Sequence, residues 1–366
     1  MTEVAILGAG AGGCAAAVEL SAAGHAVRLW SRNPATLAPQ LAAGGVRHTG
    51  VLGDGLTPLG TMTTDLAVAL DGAEAAVVCL PALAHEAVAD ELADAGAELP
   101  IVLHPGHTLG AAQLAARFRA AGSAVPPLAE LSTLGYVARI GADGAVAVTG
   151  RAGRLRGAAF GADPAALSLA RSLWPSVQAE PDVLATSLAN VNLVLHPPAA
   201  VLAAAWVEAT GGDFGFYSEA TTPSVASVML ALDGERLAVA RAFGHALDPL
   251  LDEMLAIGTV DARPEAPDPA EALRIAVSTG AANAGIRAPS SLDHRYYRED
   301  FSYGIVPLLE LAALTGVETP VAEALLALAD VALGGAARED GLTLERLGLD
   351  VSTPEGLRRL VKGEQG

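Results

Sequence analysis

The sequence predicts an α/β domain with a doubly wound, mainly parallel sheet over residues 1–180, followed by an all-α domain over residues 181–366. Three observations carry this. Short apolar runs alternate with helical patterns through the first half, and strand signals stop near residue 182. The length, 366 residues, suits two domains of ordinary size.

Taken in order, Val4 to Leu7 form a buried-strand run that enters "GAGAGG" and then an Ala-rich helical stretch to Ala23. "HAVRLW" (25–30) is the second strand, and "AAVVCLP" (75–81), "PIVLHPG" (100–106) and "VPPLAEL" (125–131) are further strands. Helical patterns at 64–71, 83–95 and 108–121 lie between them, which is the alternation of a parallel sheet. "GAVAVTG" (144–150) and "RLRGAAF" (154–160) read as later strands of the same domain. Helical patterns then follow at 183–195, 198–209, 223–246, 303–315 and 319–333. In "NVNLVLHPP" (190–198) two prolines remove backbone donors and restrain the residue before them, so a helix break is expected at His196.

Composition narrows the function. The chain is 52% hydrophobic, yet charges, Gly and Pro interrupt every run before the length of a membrane span. The first apolar run has no basic region before it and reads as a strand, not a signal peptide. Cys14 and Cys79 suggest neither a disulfide framework nor a metal site, so a cytoplasmic location is expected. A formal charge of −19 argues against nucleic acid and requires local arginines for any anionic substrate. The chain has a single lysine, Lys362, so chemistry that depends on a buried lysine is not expected.

Gly8-x-Gly10-x-x-Gly13 follows a strand and opens a helix, the context of a dinucleotide-binding Rossmann turn. The first glycine permits the turn, the second admits a pyrophosphate, and the third allows close helix–strand packing. Pro81, at the end of a later strand, is expected at the same cofactor edge. NAD binders place an acid at the end of the second strand, but here no acidic residue occurs between Glu19 and Asp54. Ser31, Arg32 and Asn33 instead offer a cation and polar donors suited to a 2′-phosphate, which favours NADP(H) over NAD(H). His104 and His107 form H-x-x-H with only two ligands in view, so no metal is expected. His107 or Thr108 would line the nicotinamide end.

Three segments of the helical half stand out together: "NVNLVLHPP", "FYSEATTPSVASVMLALDGERLAVARAFG" (216–244) and "DHRYYREDFSYGIVPLLELAALTGVETP" (293–320). With "HPGHTLGA" (104–111) and "AELSTLGYVAR" (129–139), they make the chain resemble the opine dehydrogenases, the octopine/nopaline dehydrogenase family. The resemblance spans nearly the whole chain. It implies a helical domain of the 6-phosphogluconate dehydrogenase C-terminal type and NAD(P)H-dependent reduction of an imine formed from an amino acid or other amine and a 2-oxo acid. By position it makes His196 the catalytic histidine and Asp300 the carboxylate that polarises it. Arg295 becomes a ligand of the substrate carboxylate and Asn192 a polar neighbour of the histidine, with Thr133 and Tyr303 completing the substrate-binding set. A histidine suits the proton transfers of imine formation, and a hydrogen-bonded carboxylate fixes its orientation. The chain departs from the family at His104, where Asn commonly precedes Pro-Gly, and at the acid-free end of the second strand.

Other readings stay open. The chain could reduce a 2-oxo acid or a preformed cyclic imine, or it could be a non-catalytic NADP(H)-binding sensor. Asp300 beside Arg295 and Arg298 could belong to a surface ion-pair cluster. A homodimer is a candidate assembly.

Overall fold

The computed structural model describes residues 1–280, 283 and 285–364. They fall into two compact units. One is Met1–Thr186 together with the segment from Leu360, and the other is Ser187–Arg359. The boundary expected at 180 therefore lies a few residues later, and the C-terminal segment, expected in the helical domain, belongs to the first unit. It is held there by Gly161 N–H donating to Val361 O at 2.7 Å, with Val361 fully buried. Lys362 Nζ lies 3.8 Å from Asp182 Oδ2, so the one lysine of the chain stands against a buried carboxylate.

The first unit contains β1 (Glu3–Leu7), β2 (Ala26–Trp30), β3 (Gly45–Gly50), β4 (Gly55–Pro58), β5 (Thr61–Thr63) and β6 (Ala75–Val78). It continues with β7 (Ile101–Leu103), β8 (Leu128–Leu131), β9 (Tyr136–Ile140), β10 (Val146–Arg151), β11 (Leu155–Phe160) and β12 (Val177–Ala179). The main sheet runs β12-β11-β8-β7-β6-β1-β2-β5. Only the β8–β11 pairing is antiparallel, so the expected mainly parallel, doubly wound sheet is present. In its stretch β5-β2-β1-β6-β7-β8 the order in which strands are added switches sides between β1 and β6, a point where ligands bind outside the strand ends. "RLRGAAF" joins this sheet as β11, but "GAVAVTG" does not. As β10 it belongs to a second sheet, β4-β3-β10-β9.

The helix Ala11–Ala22 touches β1 and β2 of the main sheet and β3, β9 and β10 of the second. A helix covered on both sides needs no polar face, and this one is almost all Ala and Gly over its first turns. Gly13 is obligatory: a Cβ there would collide with the Gly8 carbonyl oxygen.

In the helical unit Pro223–Ala242 contacts the helices Asn192–Leu202, Pro269–Thr279, Val306–Thr315 and Pro320–Ala332. A buried pair anchors it. Arg236 Nη2 donates to Asp233 Oδ1 at 2.6 Å and Nη1 donates to Leu188 O at 2.7 Å, while Asp233 Oδ2 accepts from Leu250 N–H. Such a pair is stable because its remaining donors and acceptors are also met.

The Pro-Pro break is the clearest difference from expectation. Helices run Val183–Leu188 and Asn192–Leu202, so the break falls at 189–191 and both prolines lie inside the second helix. Asn190 Oδ1 accepts from Asn192 N–H at 3.1 Å, the kind of side-chain bond that starts a helix. Proline already has a helical φ, and only the bonds to the Leu193 and Val194 carbonyls are forgone, close to the helix start. The asparagine, not the prolines, sets the break.

Candidate active site

The glycine loop has the form a dinucleotide needs. Gly8 has φ +126°, and a Cβ there would strike the carbonyl oxygen of Cys79, so only glycine makes the turn from β1. Gly10 caps the helix without any side-chain bond, and a Cβ at Gly10 would meet nothing within 4 Å. The open space and the uncapped N–H groups of the first turn fit a pyrophosphate. Pro81 is exposed past the end of β6, next to β1 in the sheet.

At the end of β2, Ser31 Oγ donates to Asn33 O, and Asn33 Oδ1 caps the next helix by accepting from Ala35 N–H at 2.9 Å. Arg32 is 63% exposed, and its Nη1 lies 3.6 Å from Glu91 Oε1. Of the three predicted residues, Arg32 keeps a charge to offer, and Asn33 has a structural task. His107 and Thr108 are buried past β7, and the His104 ring accepts from Gly135 N–H at 2.8 Å.

In the helical unit the predicted dyad is assembled. His196 Nδ1 is 2.7 Å from Asp300 Oδ2, and both residues are 3% exposed. Two helices make this contact: Asn192–Leu202 carries the ring, and Arg295–Asp300 carries the carboxylate. After Asp300 the chain forms a wide π-helical turn, Phe301–Ile305, of the kind that often marks functional sites. Within it a Cβ on Gly304 would lie 3.2 Å from Leu193 Cβ, so glycine lets the turn approach the His196 helix. Tyr297 Oη donates to Ala200 O at 3.0 Å, a second tie between the same two helices. Burial pushes the Asp300 carboxyl above its ordinary range, and the His196 contact opposes that rise.

Arg298 pairs with Asp293 at 2.9 Å, so the surface-cluster reading fits Arg298 and not Asp300. Arg295 is exposed, and its guanidinium lies 5.6 Å from the Tyr296 ring centre. That ring in turn lies 4.1 Å from the His196 ring. Asn192 is half-exposed one turn before His196 on the same helix, and Tyr303 is buried in the π-helical turn. Thr133 lies in the first unit, half-buried just past β8.

Sequence reasoning missed Tyr217. Its hydroxyl lies 2.6 Å from His196 Nε2, on the opposite side of the ring from Asp300. The loop that carries it is fixed: Phe216 N–H donates to Ile286 O, and Ala288 N–H donates to Phe214 O. Phe214 stacks on Trp206 at 3.9 Å. Burial, then Tyr296 next to it, holds the phenol well above its ordinary pKa. One compositional signal was available. The chain has five tyrosines, and all but Tyr136 lie in the quoted segments of the helical half.

A dinucleotide-binding turn on a doubly wound sheet, with a buried histidine–carboxylate pair in an all-helical unit, defines a nicotinamide-dependent dehydrogenase of two-unit build. The family model for the α-helical domain of NAD/NADP octopine/nopaline dehydrogenases matches residues 179–333, and that for the N-terminus of NAD-dependent glycerol-3-phosphate dehydrogenases matches residues 3–107. The opine dehydrogenase of Arthrobacter sp. (strain 1C) is 32% identical, over 98% of this chain and 98% of its own length. The chain belongs to the opine dehydrogenase family. Octopine dehydrogenase solved with NADH and L-arginine superposes with a TM-score of 0.75 at 20% identity, covering 100% of this chain and 99% of that one. Yersinopine dehydrogenase with NADP⁺ gives 0.70 at 19%, covering 100% and 98%.

Proposed function

We propose that the protein catalyses the NADPH-dependent reductive condensation of an amino acid, or another amine, with a 2-oxo acid, and the reverse oxidation. The observation that carries the reading is His196, buried between a carboxylate on one nitrogen and a hydroxyl on the other. That wiring suits a group that holds a proton and passes it on. Amine addition to a 2-oxo acid gives a carbinolamine, whose hydroxyl must be protonated to leave as water. His196 is the acid, and Asp300 holds the ring and stabilises it when charged. Arg295 takes the oxo-acid carboxylate through its planar fork. Asn192 and Tyr303 orient the amine-bearing partner.

The Gly8–Gly13 turn, Pro81 and Arg32 would hold the cofactor, which when bound supplies the hydride. Arg32 supports NADPH over NADH, because its exposed guanidinium matches a phosphate. Reactions that use a lysine do not suit a chain whose one lysine stands against Asp182.

The test is a panel of amines and 2-oxo acids with NADPH, with products identified by mass spectrometry. The reading expects NADPH loss only when both partners are present. Equal loss with oxo acid alone would make the protein an oxo-acid reductase, and turnover of cyclic imines alone an imine reductase. Binding without turnover anywhere would make it a sensor.

A further inference from the structure

The environment of His196 leaves neither ring nitrogen open. Asp300 stands on Nδ1 and Tyr217 on Nε2, and the ring itself is 3% exposed. An ionised carboxylate only accepts, so the proton facing Asp300 sits on Nδ1. In the neutral ring Nε2 then accepts, and the Tyr217 hydroxyl donates to it. In the charged ring Nε2–H donates to the phenol oxygen, which frees the phenol proton for another acceptor. The other hydroxyl close to it, that of Tyr296, lies at 3.5 Å. Tyr217 itself is 7% exposed, against 3% for both His196 and Asp300. A substrate meets the histidine directly only if it displaces a 2.6 Å hydrogen bond.

We propose that Tyr217 is the hydroxyl through which His196 exchanges its proton with the substrate, the outer member of an Asp300–His196–Tyr217 relay. This rests on the reading of His196 as the acid of the condensation. In the dehydration step the Tyr217 O–H bond breaks and a new O–H bond forms on the carbinolamine oxygen. The carbon–oxygen bond breaks, water leaves, and the nitrogen lone pair forms the C=N bond of an iminium. In the same step the Nε2 proton of charged His196 moves to the Tyr217 oxygen. The phenol is restored, the imidazole ends neutral, and the positive charge passes to the iminium. No free phenolate is formed, as suits a phenol held well above its ordinary pKa. No oxidant or reductant is required.

The experiment compares Tyr217→Phe with His196→Asn in the full chain, using amine plus 2-oxo acid and, separately, a preformed N-alkyl iminium that needs no protonation. The relay expects Tyr217→Phe to lose about a hundredfold in condensation turnover, the lower end for a lost general acid. Iminium reduction by the same variant should change less than about threefold, as expected when only the protonation step is lost. Unchanged or faster condensation by Tyr217→Phe, with His196→Asn inactive, would overturn the relay and leave His196 as the acid. Full activity in both variants would overturn the His196 reading as well. Should Tyr217→Phe fail to fold, trifluorotyrosine at position 217 keeps the shape and lowers the phenol pKa. The relay expects this change of acidity to alter condensation turnover while iminium reduction stays within about threefold, and unchanged condensation would overturn it.

Discussion

The chain contains two His-Pro pairs, one in each unit, and they are wired in opposite ways. His104 is fully buried past β7, its Nε2 accepts from a backbone N–H, and its ring packs edge-on against Trp174 with centres 4.7 Å apart. Burial pushes its pKa down to about 3, so its ring stays neutral. His196 is almost as buried but faces Asp300 and Tyr217. Each unit also offers an exposed arginine, Arg32 and Arg295. If His196 works as proposed, burial does not distinguish a working histidine from a packing one. The partners on its two nitrogens do.

The strongest test of that contrast is His196→Asn. It should keep the circular dichroism and NADPH affinity of the parent and lower kcat by about 10²–10⁴. Near-normal turnover would make His196 a packing residue of the His104 kind. Asp300→Asn removes the carboxylate acceptor that holds the ring at Nδ1, so kcat should fall while NADPH affinity is kept. Adding Asp300→Asn to His196→Asn should cost little more, because groups that act as a unit are not additive.

How far the sequence reached differs between the units for a physical reason. The glycine turn and the first Rossmann strands were legible because their signals are local. The second sheet was read only at β10: β4 is four residues that begin with Gly and end with Pro, β3 is bounded by glycines, and the pairing of β3 with β10 joins segments far apart in sequence, which no local signal reports. In the helical unit the dyad came from a resemblance, since nothing local links positions 196 and 300. Tyr217 was missed because its role depends on a loop pinned to residues 286–288. The Pro-Pro pair misled because proline's cost depends on where the helix begins, and Asn190 decides that.

Arg295→Lys keeps the charge but loses the planar fork. The apparent KM for the oxo acid should rise about tenfold, equivalent to about 1.4 kcal/mol, with a smaller change for the amine. Unchanged oxo-acid kinetics in a folded variant would remove Arg295 from the site.

His104→Asn probes the other side of the comparison through stability. A folded pKa near 3 against an ordinary value of 6.5 means that the unfolded chain binds the proton first as pH falls. The stability contribution is present above pH 6.5 and is lost progressively from there down to about 3, at about 1.4 kcal/mol per pH unit. Urea unfolding of His104→Asn should give a shallower acid-side slope. At pH 7 it should be weaker by about 1–3 kcal/mol, because the ring packing against Trp174 is lost. Catalysis should barely change, and a catalytic loss like that of His196→Asn would erase the contrast.

The smallest effect is expected at Arg32. Its ion pair with Glu91 spans 3.6 Å at an exposed position, and such pairs contribute only about 0–1 kcal/mol, so Glu91 does not hold the guanidinium away from a phosphate. Solvent also weakens whatever Arg32 gives the cofactor. Arg32→Ala should therefore raise the Kd for NADPH about fivefold, near 1 kcal/mol, and leave that for NADH within about twofold. Glu91→Gln should move NADPH the other way by a smaller factor, since it removes the anion that competes with the 2′-phosphate. Fluorescence titration with both cofactors measures each shift. If wild type prefers NADH, or Arg32→Ala weakens both equally, Arg32 is a surface cation at a loop edge. The exposed arginines would then differ as the two histidines do: Arg295 with a substrate to hold, Arg32 with none.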